Sequence, residues 1–141
     1  MKEELIQLYR DSAEYDKAIA TTNEALQKDS LNPRLWDIKA TLYFENEDTL
    51  NAITSFEKAL KLNPSPRYLI LLGSLYAQIK NVRALLIADA LIKTKQPETE
   101  KEALFIKGLY HTYTGDKKTA IDFFDKCLNM DNSHMFVYSE K

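Results

Sequence analysis

Three stretches of the chain carry nearly the same order of small, large and polar residues: AIATTNEALQKDS from Ala18, AITSFEKALKLNP from Ala52 and AIDFFDKCLNMDN from Ala120. Each opens on Ala-Ile and places a Leu eight residues after its Ala. A second small residue follows seven positions after the first, at Ala25, Ala59 and Cys127. The first two stretches start 34 residues apart, and the third starts 68 residues after the second. Upstream of them another pair recurs, three residues apart: Ile6 with Tyr9, Ala40 with Tyr43, Gly73 with Tyr76 and Gly108 with His111. Self-similarity at a period of this size marks a chain built from stacked supersecondary units. The pattern predicts two helices in each unit.

The unit that opens at Pro33 is the clearest. Trp36, Lys39, Ala40 and Tyr43 are followed by Ala52, Phe56, Ala59 and Pro64. This resembles the tetratricopeptide repeat (TPR) signature of Trp, Leu-Gly, Tyr, Ala-x3-Phe and Pro. Lys39-Ala40 departs from Leu-Gly, and Ala keeps the position small. The resemblance implies an all-α fold, an α-solenoid of about four helix-turn-helix repeats coiled into a short right-handed superhelix. The units are approximately 1–32, 33–66, 67–100 and 101–134, with 135–141 the start of a truncated or capping helix. Small residues belong where the paired helices cross, and Trp, Tyr and Phe fill the space beside them. The expected core is Tyr9, Ala18, Ala25, Trp36, Ala40, Tyr43, Ala52, Phe56, Ala59, Gly73, Tyr76, Gly108, Ala120, Phe124 and Cys127. A hairpin of this kind must stack on a neighbour to bury its apolar face.

Helix punctuation supports the boundaries. Asn32-Pro33 and Ser65-Pro66 each offer a capping side chain followed by Pro at the first helical position. Thr99 with Glu102 reads as a capping box. The third unit is degenerate: strict phase puts Leu86 where the others have Ala, with Ala84 and Ala88 on either side. Its second helix is therefore expected to begin a residue or two early.

Composition fits this picture. Charged residues are 28% and apolar ones 45%, with three Gly and four Pro, too few for the turns of a β-sandwich. A net charge of −2 without a basic stripe gives no argument for nucleic acid. No apolar run approaches the ~20 residues of a bilayer span. A single cysteine leaves no intramolecular disulfide or cysteine zinc site. A cytoplasmic location is the default expectation, subject to any targeting segment outside this sequence.

The search for chemistry yields no catalytic, cofactor or metal site. His111 stands where other units have Tyr, so a packed ring is the simplest reading. His134 falls at the last junction and reads as a loop residue. Cys127 replaces a small core residue, and a reactive thiol would need exposure beside positive charge. The hydroxyls have no paired base, and single glycines do not make a phosphate loop.

What remains is surface. In TPR proteins the first helices of successive repeats line a concave groove for a partner's peptide segment. Helical spacing puts Glu3, Glu4, Gln7, Arg10 and Asp11 on that face in the first unit and Arg34, Asp37, Ile38, Thr41, Phe44 and Glu45 in the second. The third gives Arg67, Ile70, Leu71, Ser74 and Gln78, and the fourth gives Glu102, Phe105, Ile106, Leu109 and Tyr113. A TPR subclass clamps the carboxylate tail of chaperones through Lys, Asn and Arg. Here Ile38 replaces the Asn, Glu3 and Gln7 stand in place of Lys and Asn, and Leu71 replaces the Arg. The expected groove is instead apolar, centred on Ile38, Phe44, Ile70, Leu71, Phe105, Ile106 and Leu109, for an amphipathic helix or extended segment. The competing reading is that these residues merely pack neighbouring first helices together.

The expected function is a non-enzymatic protein-interaction scaffold for a protein or peptide partner. The alternatives are an assembly module and a substrate-recruiting segment of a larger protein. Both ends of the chain stop mid-helix, with Ser133 placed to cap a new helix at Met135–Tyr138. This suggests either a segment of a longer protein, the preferred reading, or a homodimer joined through uncovered ends.

Overall fold

The computed structural model describes the backbone of residues 2–139 and the side chains of residues 2–130. Within them lie eight α-helices and no strand: α1 (Lys2–Asp11), α2 (Tyr15–Lys28), α3 (Pro33–Glu45), α4 (Thr49–Leu62), α5 (Pro66–Gln78), α6 (Arg83–Ile92), α7 (Pro97–Tyr113) and α8 (Lys117–Ser139). The fold is all-α, as the repeat predicts, with the helices in four consecutive hairpins. They fall into two compact units, Met1–Tyr68 and Leu69–Lys141.

One turn closes every hairpin. The carbonyls of Tyr9, Tyr43, Tyr76 and His111 accept from the N–H groups of Glu14, Asp48, Asn81 and Asp116, five residues on, at 2.8–2.9 Å. The N–H of the residue before each donor bonds the carbonyl three positions earlier: Ala13 to Arg10, Glu47 to Phe44, Lys80 to Ala77 and Gly115 to Thr112. This pair of bonds is the Schellman motif, which requires a left-handed residue after the helix. Ala13, Glu47 and Lys80 adopt it at φ 59–61°, and Gly115 at 91°. The recurrent aromatic position thus marks the last turn of each first helix.

The irregular third unit has a specific cause. The N–H groups of Ala18, Ala52 and Ala120 bond the carbonyl four residues back, whereas Ala84 bonds Asn81, three back. The small position therefore arrives one residue sooner after the turn, through a tighter first turn. The helix itself begins at Arg83, one residue later after its turn than the other second helices and not early as expected. Ala84 and Ala88 become fully buried, and Leu86 is left 65% exposed.

Helix starts follow two of the three expected signals. Asn32 Oδ1 accepts from the Arg34 N–H, and Ser65 Oγ accepts from the Arg67 N–H. Thr99 does not cap. Helix α7 begins at Pro97 with Gln96 as its N-cap, because Pro presets the backbone of the first helical position. The buried Thr99 hydroxyl donates to the Gln96 carbonyl and lies 2.6 Å from Thr94 Oγ1. The break expected at Ser133 is also absent from the backbone. Helix α8 continues to Ser139, and no Gly or Pro between Lys117 and Ser139 interrupts it. The side chains of His134 and Met135–Tyr138 lie outside the described residues.

In the first unit Ile6, Ala18, Ile19 and Leu42 form a buried cluster against Tyr9, Tyr15, Ile38 and Tyr43. Ala40, Ala52, Phe56 and Ala59 are buried as expected. In the second unit Gly73, Tyr76, Gly108, Ala120 and Cys127 are buried. Ala25, Trp36 and Phe124 are only half-buried.

Two glycines are set by close approach. A Cβ on Gly73 would stand 2.7 Å from Ile106 Cδ1, and one on Gly108 would stand 2.6 Å from the Phe124 ring. In the second unit the bulk of the neighbouring helix occupies the space that a side chain would need.

Candidate interaction groove

In the first unit, α1, α3 and the start of α5 bound an open groove of about 630 Å³. Its walls include Glu3, Glu4, Gln7, Arg10, Arg34, Asp37, Ile38, Thr41 and Arg67, with Ile6 and Leu42 at its apolar base. Arg34, Asp37, Ile38 and Thr41 are therefore brought together. Phe44 is 48% exposed on the same helix but does not line the groove. Ile38 is half-buried against the core cluster, so it offers an edge and not a whole side chain.

Ion pairs tie each first helix to the next across this groove. Arg34 Nε lies 3.1 Å from Glu3 Oε1, and Arg67 Nη1 lies 2.5 Å from Asp37 Oδ2. Arg10 pairs with Glu45 through two hydrogen bonds, Nε to Oε1 at 2.7 Å and Nη2 to Oε2. That bonding to Glu45 raises the Arg10 pKa, although partial burial opposes it. The Tyr68 hydroxyl, 3.5 Å from Asp37 Oδ2, has its pKa raised by burial first and by the Asp37 charge second. Sequence reading placed these charges on one face but did not pair them. The available signal was opposite charges separated by roughly one repeat: 31 residues for Glu3 and Arg34, 35 for Arg10 and Glu45, and 30 for Asp37 and Arg67.

The second unit treats the corresponding positions differently. Ile106 is fully buried, packed toward Gly73, so it belongs to the core and not to a groove. This corrects the expectation, and the reason is the missing side chain at Gly73. Ile70, Leu71, Ser74 and Leu109 are half-buried, and the Ser74 hydroxyl is turned back onto the Ile70 carbonyl. Phe105 and Tyr113 remain 44% and 42% exposed. The Phe105 ring centroid is 5.7 Å from that of Phe124.

His111 is a packed ring, stacked on Phe123 at 5.6 Å with an interplanar angle of 10° and edge-on to Tyr110. Cys127 is buried with Sγ 3.5 Å from the Lys101 carbonyl. Among the described residues no group of three or more His, Cys, Asp and Glu is placed to hold a metal ion, and no helix is long and apolar enough to cross a membrane.

Comparison with known proteins agrees with this architecture. The tetratricopeptide repeat family model matches residues 33–66 and 101–134. A TPR repeat-containing protein of Methanocaldococcus jannaschii is 29% identical over 126 residues, 89% of this chain. The chain spans about a fifth, 22%, of that relative's length. Among solved structures, MamA superposes with a TM-score of 0.73 at 20% identity, covering 94% of this chain and 77% of MamA. YrrB, described as a TPR protein with an unusual peptide-binding site, gives 0.57 at 17% identity, covering 97% of this chain and 88% of YrrB. Residues 33–66 and 101–134 thus match the tetratricopeptide repeat, and the chain shares its fold with these solved structures.

Proposed function

We propose that the chain is a non-enzymatic protein-interaction scaffold whose first-helix face receives a peptide or helical segment of a partner protein. The observation that carries this reading is the open groove of the first unit, about 630 Å³, walled by side chains from three successive first helices. A groove of that size admits several residues of an extended or helical segment. Arg34, Asp37, Ile38 and Thr41 are its contact residues, and in the second unit Phe105 and Tyr113 supply exposed aromatic surface on α7. The arginines that a carboxylate ligand would seek are engaged with Glu3, Glu45 and Asp37. That argues against capture of an acidic chain terminus. YrrB offers a precedent for peptide recognition on the same fold. Selection of a displayed random-peptide library on the intact chain tests the reading. The expected result is an enriched motif whose binding is lost in Thr41→Arg with an unchanged circular dichroism spectrum. Failure to enrich any motif, or enrichment indifferent to Thr41→Arg, contradicts it.

A second reading, assembly with other copies or domains, is favoured by exposed aliphatic side chains on α1 and α8. Leu5 and Leu8 are 42% and 63% exposed, and Ile121 and Leu128 are 57% and 58% exposed. Light scattering tests it: a concentration-dependent dimer lost in Leu8→Glu or Leu128→Glu supports assembly, and a monomer throughout removes the homodimer.

A further inference from the structure

On α3, the groove residues share one side of the helix. Trp36 lies about 200° around the axis from Ile38, at 100° per residue. It is the only tryptophan of the chain, half-buried, with Nε1 donating to the Ser30 carbonyl at 2.9 Å. Beside it lies a separate open cleft of about 630 Å³, lined by Trp36, Thr54, Glu57, Lys58, Leu60 and Lys61. The Lys39 and Lys58 ammonium groups stand 5.0 and 6.0 Å from the indole centroid. The arginines of the first-helix face are each matched by a carboxylate. Among the described residues, Lys39, Lys58 and Lys61 are not. Burial without a counter-charge lowers the Lys39 pKa. The cleft therefore combines an aromatic floor with an excess of unmatched positive charge, and Glu57 offsets only part of it.

We propose that this cleft is a second docking site, for an acidic segment of a partner protein that carries an aromatic residue. The partner's ring lies against Trp36 and Leu60, and its flanking carboxylates meet Lys58 and Lys61. Charge complementarity selects the occupant: a basic segment would face Lys58 and Lys61, with Lys39 beside the indole, and a purely apolar one would leave them unmatched. Cations over an indole face also make that face less receptive to another cation. The site is separate from the first-helix groove and does not depend on it.

Because Trp36 is the single tryptophan, its fluorescence reports this cleft alone. The probes are a capped peptide Gly-Asp-Glu-Phe-Glu-Asp-Gly, the same peptide with Ala for Phe, and Gly-Lys-Lys-Phe-Lys-Lys-Gly. The acidic aromatic peptide should produce a saturable change that weakens with added salt. The Ala peptide should bind more weakly and the basic one should not bind. Lys58→Glu with Lys61→Glu should weaken binding by about tenfold or more, because two attractive exposed pairs become repulsive. Both positions are exposed, and Lys58→Gln with Lys61→Gln repeats the test should the charge reversal disturb the fold. Thr41→Arg should leave the titration unchanged. The proposal is overturned by the absence of a saturable signal, by equal binding of the basic peptide, by indifference to both lysine double variants, or by inorganic phosphate saturating the signal at the same concentration.

Discussion

The two compact units are built from the same hairpin and finish its inner helix face in opposite ways. In Met1–Tyr68 the small position of α3 is Ala40, and the first helices are joined across an open groove by Arg–carboxylate pairs. In Leu69–Lys141 the equivalent positions are Gly73 and Gly108, and large side chains fill the space beside them. Ile106 enters against Gly73, and Phe124 lies against Gly108. Removal of one methyl group at a crossing lets the neighbouring helix come closer and turns surface into core. The repeat supplies the hairpin, and the residue at its crossing decides whether the face stays open.

Substitutions that break this comparison should differ in size. The largest loss is expected for Phe56→Ala, whose ring is buried in the first unit and packs near Tyr68 at 6.4 Å. Urea unfolding should show about 3–5 kcal/mol, and an unmoved midpoint would mean that the repeat register is wrong. Ile106→Ala should follow at about 2–5 kcal/mol, while the half-buried Ile38→Ala at the edge of the groove should cost clearly less. Equal losses would erase the distinction between the faces. Gly73→Ala should cost about 1–3 kcal/mol by overpacking against Ile106, and combining it with Ile106→Val should recover part of that loss. Lys80→Gly and Glu47→Gly should each stabilise by about 1 kcal/mol, because both hold left-handed backbone that glycine adopts freely. The smallest effect is expected for Arg67→Ala, below about 1 kcal/mol and reduced by salt, since its side chain is 58% exposed.

Most of the architecture was legible because repeat packing restricts residue size at fixed offsets. Tyr9, Tyr43, Tyr76 and His111 announced the last turn of each first helix, and Ala18, Ala52 and Ala120 announced the second. Leu86 was legible as an irregularity, but its cause was not: the hydrogen bond from the Ala84 N–H to the Asn81 carbonyl tightens the first turn of α6, brings the small position one residue forward and leaves no motif. Thr99 misled because a capping sequence and a Pro start compete, and Pro97 came first. The continuation of α8 past Ser133 follows from a missing breaker, a weaker signal than the capping residue that suggested a new start.

The candidate site was legible only in part. Helical spacing puts Arg34, Asp37, Ile38 and Thr41 on one face from sequence alone. Spacing cannot tell an exposed apolar residue from one covered by its neighbour, so Ile106 and Phe105 looked alike. The partners of Arg10, Arg34 and Arg67 lie about one repeat away, beyond the reach of local pattern. Trp36 appeared only as a core residue, since its half-burial and the lysines of α4 depend on how the hairpin closes.

Under the proposed function, a partner segment is recognised by the open first-helix face of the first unit. Affinity of one display-selected peptide should be compared for wild type, Thr41→Arg on that face, and Leu50→Arg on α4, an exposed position outside the groove. Thr41→Arg should lose about tenfold or more, worth ~1.4 kcal/mol, and Leu50→Arg should keep wild-type affinity. The reverse order, or equal binding by all three chains, would contradict that reading.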